Sequence, residues 1–300
     1  LHWMVDAAAT RSAAEILAGG GAASGARPVD AAGLQAPVEA AGLSPATGYR
    51  FHVLHEDAAG NRSAVVSTAF VTASPASGGI RVERSAVTVS SSGGPAYAGS
   101  EFVVGDADDR VLVALVHGYS ATAGAVPDDV AVSFGGAAMT PALSPSTDSD
   151  LDHREWVAAY VLAAPAPGPG TLSLNWSLST RACAVTLVEL SGVDQAAPVA
   201  ASGVVDSGFV SQIAFARPGA AEGSLLLSAL AVNSGGRGAD IGVTDGATAL
   251  RTGETGSLAT SDVSFATASQ TVTAGGPKGH GYAWTPADRA ILGWLEMKEA

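Results

Sequence analysis

Residues 182–198 read ACAVTLVELSGVDQAAP, and the reading of this stretch decides the fold. Eight residues, 183–190, are almost wholly apolar and rich in branched side chains, and Ser-Gly, Asp194 and Pro198 close the run. A short apolar run ended by turn residues marks a strand buried deep in a sheet. Cys183 lies inside it without polar neighbours, so it reads as a structural thiol rather than a nucleophile.

Working outward, strand signals stand on both sides. Upstream, RVLVALVH at 110–117 is nearly all apolar and therefore central, and 87–91 and 101–104 are short candidates. Segments 130–134, 155–162 and 171–177 alternate, placing Trp156 and Trp176 inward. Downstream come 224–232, 263–273 and 290–297. With 37 Gly and 15 Pro scattered without a G-x-y period, turns are many, and no fixed-period repeat indicates a solenoid. About ten strands without long helices predict an all-β chain, a large antiparallel, jelly-roll-like β-sandwich over 80–300.

The first 73 residues read differently. Residues 1–5 form a strand, and Ser12 with Glu15 makes a capping box for a short helix over 13–18, stopped by three glycines. Leu43 and Tyr49 precede an alternating strand, a turn at Gly60-Asn61 and a further strand at 65–72. This arrangement resembles the tyrosine corner of fibronectin type III domains, which implies a structural role for Tyr49. The module is incomplete at its start, and 74–79 is a small-residue linker. The chain opens on Leu1-His2-Trp3 without an initiator Met, so it is expected to be the later part of something longer or a mature fragment.

Net charge is −13, with only two lysines, Lys278 and Lys298. Such a surface repels nucleic acid and anionic lipid, and suits neutral glycans, cations or a basic protein. No stretch reaches the roughly 18 apolar residues of a membrane span, so membrane insertion is not expected.

Chemistry is thinner. His117-Gly-Tyr-Ser120 follows a strand but lacks the second glycine and the helix of a nucleophile elbow. Asp148, Asp150 and Asp152 alternate in one loop and are calcium candidates, although the EF-hand glycine and closing Glu are absent. The acidic groups at Asp106, Asp108, Asp109 and at Asp128, Asp129 are typical of turns. Tyr97 and Tyr119 are candidates for exposure and hence for stacking on sugar. His153 and Tyr282 are further carbohydrate-binding candidates.

RVLVALVHGYSATAG, VAVSFGGAAMTPA, WVAAYVLAAPAPGPGTLSLNWS and LVELSGVDQAAP, in this order, resemble a sandwich module of bacterial exoproteins and phage adhesins. Together with the fibronectin-like segment, the resemblance is to the spike or tail fibre of a phage or gene transfer agent. It implies a non-enzymatic protein at the particle surface, assembled in the bacterial cytoplasm, that binds a host cell-surface glycan and other particle structural proteins. A homo-oligomer remains open. The alternatives are a purely structural fibre module and a polysaccharide depolymerase, in which paired carboxylates cleave the glycan.

Overall fold

The computed structural model describes residues 1–6, 10–26, 48–71, 79–90, 94–127, 129–147, 154–233, 240–255 and 262–300. The chain is all-β and divides into two compact units, Leu1–Ser77 and Gly78–Ala300.

The first unit holds β1 (His2–Asp6), α1 (Ala13–Ala18), β2 (Ala23–Ala26), β3 (Gly48–Leu54) and β4 (Val66–Val71). Its sheet runs β2-β1-β3-β4, all antiparallel. The helix starts where its sequence says it should. The Ser12 hydroxyl accepts from the Glu15 N–H at 3.3 Å, and the Glu15 carboxylate accepts from the Ser12 N–H at 2.8 Å. Two otherwise orphaned donors are thereby satisfied. Ile16 then buries against Met4 and Leu54. Tyr49 lies on β3, half-buried and stacked on Phe70 with ring centroids 6.1 Å apart. The loop to which a tyrosine corner would bond, and residues 74–78 of the small-residue linker, lie outside the described residues.

The second unit contains two successive sets of strands. The first set is β5 (Arg81–Ser90), β6 (Gly94–Val104), β7 (Val111–Ser120), β8 (Ala131–Phe134), β9 (Ala137–Ala138), β10 (Thr140–Thr147), β11 (Glu155–Ala163) and β12 (Gly168–Ser191). The second set begins with β13 (Val199–Ala214), β14 (Arg217–Ala220), β15 (Leu225–Asn233) and β16 (Asp240–Val243). It ends with β17 (Thr248–Glu254), β18 (Val263–Thr271), β19 (Gly276–Lys278) and β20 (Gly281–Met297).

The two sets build the same object. In the first, strands lie in the order β10-β11-β7-β12-β5, and in the second in the order β17-β18-β15-β20-β13. In each, the last strand is long and belongs to two layers. The end of β12 pairs with β7 and β5, while its start pairs with β6 and β8. Likewise the end of β20 pairs with β15, while its start pairs with Gln212–Ala214 of β13 and with β16. The runs at 171–177 and 183–190, expected as separate strands, are thus one strand of 24 residues.

Register confirms the match. Leu112 faces Glu189 on one side and Leu162 on the other, and Leu226 faces Glu296 and Gln270. Both glutamates are buried and held alike. Glu189 accepts from the Gly105 N–H at 2.8 Å and lies 2.7 Å from the Arg84 guanidinium. Glu296 accepts from the Ala221 N–H at 2.8 Å and lies 2.8 Å from that of Arg217.

Each five-stranded sheet is covered on both faces, which is why β7 and β15 read as continuous apolar runs instead of alternating. Val113, Leu115, Leu227 and Phe265 meet in the core shared between the two sheets. Leu112, Ala114 and Val116 face the outer core of the first half, and Leu226, Leu230 and Val232 that of the second. Across the shared core, β7 meets β18 while β15 meets β11, and β5 meets β17 while β13 meets β10. These pairs exchange when the halves are exchanged, the pattern of an isologous dimer interface. The β-sandwich expected over 80–300 is therefore, at finer grain, a tandem of two like sandwiches back to back.

Candidate functional site

The halves differ most in what fills their outer cores. Ala114 and Ser228 hold equivalent register positions, as do Leu162 and Gln270. The returning stretches both run into a tryptophan, LSLNW at 172–176 and HGYAW at 280–284. Their inward residues are Leu172, Leu174 and Trp176 in the first half, and His280, Tyr282 and Trp284 in the second. Ala114, Leu162, Leu172 and Leu174 of one sandwich are thus matched by Ser228, Gln270, His280 and Tyr282 in the other.

The polar side chains interact. The Ser228 hydroxyl lies 2.6 Å from His280 Nε2 and 2.6 Å from the Tyr282 hydroxyl, all three fully buried. Burial lowers the His280 imidazole to about 4, with Asp245 pulling the other way, and pushes the Tyr282 phenol up. His280 is therefore neutral at pH 7, and its Nδ1 has no hydrogen-bond partner among the described residues. Buried polar atoms are nearly always paired, so an unpaired one in a polar cluster points to a role beyond packing. Gln270 donates its amide to the Asp245 carbonyl at 2.8 Å, and its own carbonyl oxygen is likewise without a partner among those residues.

Beside this cluster opens a cavity of about 400 Å³, lined by Gln212, Ile213, Ala214, Thr244, Asp245 and Tyr282. That volume falls within the usual range for small-molecule sites. Asp245-Gly246 forms the tight turn between β16 and β17, with φ of 60° and 74°. Both values lie in the left-handed region, which a primed two-residue hairpin turn demands and which Asp-Gly suits. The Thr244 hydroxyl donates to the Asp245 carboxylate at 2.7 Å and so orients it. The matching turn of the first half, Gly135-Gly136, also borders a cavity, of about 170 Å³. Phe134, Leu162, Pro165, Pro167 and Pro169 line that one, so it is apolar and smaller.

Of the carbohydrate candidates among the described residues, Tyr282 alone lies at this site, and its ring is buried with its hydroxyl turned to Ser228. Tyr97 and Tyr119, expected to be exposed, are each only 6% exposed. Tyr97 packs in the outer core of the first half and Tyr119 in the shared core. Tyr97 lies on the inward parity of β6, between exposed Ala96 and Ala98, whereas Tyr119 lies on β7, whose residues are buried throughout. His153 and the calcium candidates Asp148, Asp150 and Asp152 lie outside the described residues. Among the described residues no group of three or more His, Cys, Asp or Glu could hold a metal ion. Cys183 is buried in the first outer core, which pushes its thiol up. His117 and Ser120 do not form a catalytic pair: His117 Nδ1 lies 2.9 Å from the Leu230 carbonyl, and Ser120 is buried.

Ser228, Asp245, Gln270 and His280 were not singled out by the sequence. The Asp-Gly turn and the polar residues at inward positions of HGYAW were the available signals. Comparison with protein-family models, curated proteins and solved structures finds no match.

Proposed function

We propose that this chain is a non-enzymatic spike or fibre module that attaches a phage-like particle to host cell-surface polysaccharide, with the cavity at Asp245 receiving a sugar. The observation that carries the reading is the contrast within the tandem. On one framework, the apolar cavity lining of the first half is matched in the second by Gln212, Thr244 and Asp245, an amide, a hydroxyl and a carboxylate around an open cavity. Those are the groups that hydrogen-bond sugar hydroxyls. Two features favour binding over cleavage. The Ser228–His280 pair is fully buried, and the described lining holds one carboxylate, whereas glycosidases use two facing the same sugar. The particle context comes from the resemblance of the turn and strand motifs. Such a protein works outside the cell after assembly in the bacterial cytoplasm, joined to other particle proteins.

A purely structural role is the second reading, favoured by Phe209. This side chain sits in an irregular stretch of β13 and is 72% exposed, a fit for a protein partner.

The test is binding of the full chain to extracted cell-surface polysaccharide, with and without EDTA, while sugar release is assayed. Binding without release, weakened at least tenfold by Gln212→Ala or Asp245→Ala, is the expected result. Loss on adding EDTA would bring in the 148–153 loop. Failure to bind any of several polysaccharides overturns the adhesin in favour of the structural module. Release of oligosaccharide makes the protein a depolymerase.

A further inference from the structure

The charge around the cavity narrows what it can hold. Among its described lining residues there is one carboxylate, Asp245, and no arginine or lysine. The carboxylate is fixed from two sides. Its turn is tied by the Gln270 amide at the Asp245 carbonyl, and its Oδ2 accepts from Thr244. The ring behind it, His280, is buried and uncharged at pH 7, so it offers no cation either. Arg217 on β14, paired with Glu296, and Lys278 on β19 are the nearest described basic residues along the chain, and neither is part of the described lining. The whole chain carries −13, which lowers the local concentration of anions approaching the surface.

We infer that the cavity selects a sugar without acidic substituents, one that presents hydroxyl or amide N–H donors to Asp245 and Gln212, and rejects uronic acids and sulfated or phosphorylated sugars. A fixed carboxylate accepts hydrogen bonds from neighbouring hydroxyls, and such charge-assisted bonds are about twice as strong as neutral ones. A ligand carboxylate in the same place would be desolvated against a like charge with no counter-ion. The inference rests on the glycan-binding reading above and adds the class of sugar to it.

The experiment is calorimetric titration of the full chain with neutral glucan, mannan and galactan oligosaccharides and with oligogalacturonate, at about 0.15 M salt so that long-range repulsion is screened to about 8 Å. Binding of a neutral oligosaccharide at least tenfold tighter than oligogalacturonate is expected. Asp245→Asn should weaken the neutral ligand about tenfold and shrink the gap between the two classes. Equal or tighter binding of oligogalacturonate, abolished by Gln212→Ala, would overturn the selectivity while leaving the glycan site standing. An unchanged neutral affinity in Asp245→Asn would overturn the role of the carboxylate. No binding of either class removes the glycan reading and this inference together.

Discussion

The two halves of the second unit share strand order, register and a buried glutamate clamp, yet four matched outer-core positions are aliphatic in one and polar in the other. What they share is what the fold needs: sheets covered on both faces and a last strand that crosses between layers. What differs is free of that need, because Ala114, Leu162, Leu172 and Leu174 show that the same framework closes with aliphatic side chains at those four positions. A buried serine, histidine and tyrosine and a half-buried glutamine in the other half therefore call for an explanation outside stability. Burying polar groups costs free energy unless every one is paired, and His280 Nδ1 and Gln270 Oε1 are not paired by the described residues. The difference locates a candidate site that no motif announced.

The likeness can be broken first at the clamps. Glu296→Ala leaves the Arg217 guanidinium and the Ala221 N–H without their acceptor, and Glu189→Ala does the same to Arg84 and Gly105. Each is expected to destabilise by about 1–3 kcal/mol in urea unfolding, chiefly because a backbone N–H loses its acceptor while the half-exposed guanidinium turns to water. A near-neutral result for one and a large loss for the other would break the equivalence of the halves.

Acid should separate the histidines next. Burial holds His117, in the shared core, and His280, in the second outer core, at about 4. Their unfolded value is about 6.5, so between pH 6.5 and 4 the unfolded chain binds protons that the folded chain does not. Stability is full above pH 6.5 and falls as pH drops towards 4, by about 3 kcal/mol for each histidine. Glu155, raised to about 7 by burial, acts with the opposite sign between about 4.5 and 7, since there the folded state holds the extra proton. One carboxyl offsets one of the two histidines, leaving a net loss on acidification. His280→Leu, which installs the residue type of the first half, should remove most of that loss in a pH series of melting curves. An unchanged acid limb would show that His280 is not buried neutral.

The smallest effect on stability should come from converting one half into the other. Ser228→Ala, Gln270→Leu, His280→Leu and Tyr282→Phe together remove both donors and acceptors of the cluster. Replacing whole polar pairs by apolar groups of similar shape is close to neutral, so a change within about 1 kcal/mol is expected. Sugar binding should be lost while the β-sheet circular dichroism spectrum is kept. Retained binding would place the ligand elsewhere.

Much of this architecture was legible in the chain. The runs around Cys183 and Val113 read as central strands because strands covered on both faces lose their alternation. Ser12 and Glu15 declared the helix start. The duplication was hidden, because matched residues lie 114 positions apart at Leu112 and Leu226, 108 at Leu162 and Gln270, and 107 at Glu189 and Glu296. Insertions and bulges thus blur any fixed period. Tyr97 and Tyr119 were misplaced because β6 and β7 extend through the glycine-bearing stretches around them, which carry both rings inward. Ser228 escaped notice in LLLSALAV because one small polar residue does not disturb an apolar run.

The exchange-related contacts across the shared core carry a further consequence. In a true dimer of identical chains every substitution is made twice, and a pocket gained on one side appears on the other. Joining the partners in one polypeptide lifts that constraint while keeping the interface. One half can then change its outer core while the other keeps the scaffold closed, so that the larger, polar-lined cavity stands on one side where a symmetric dimer would carry two.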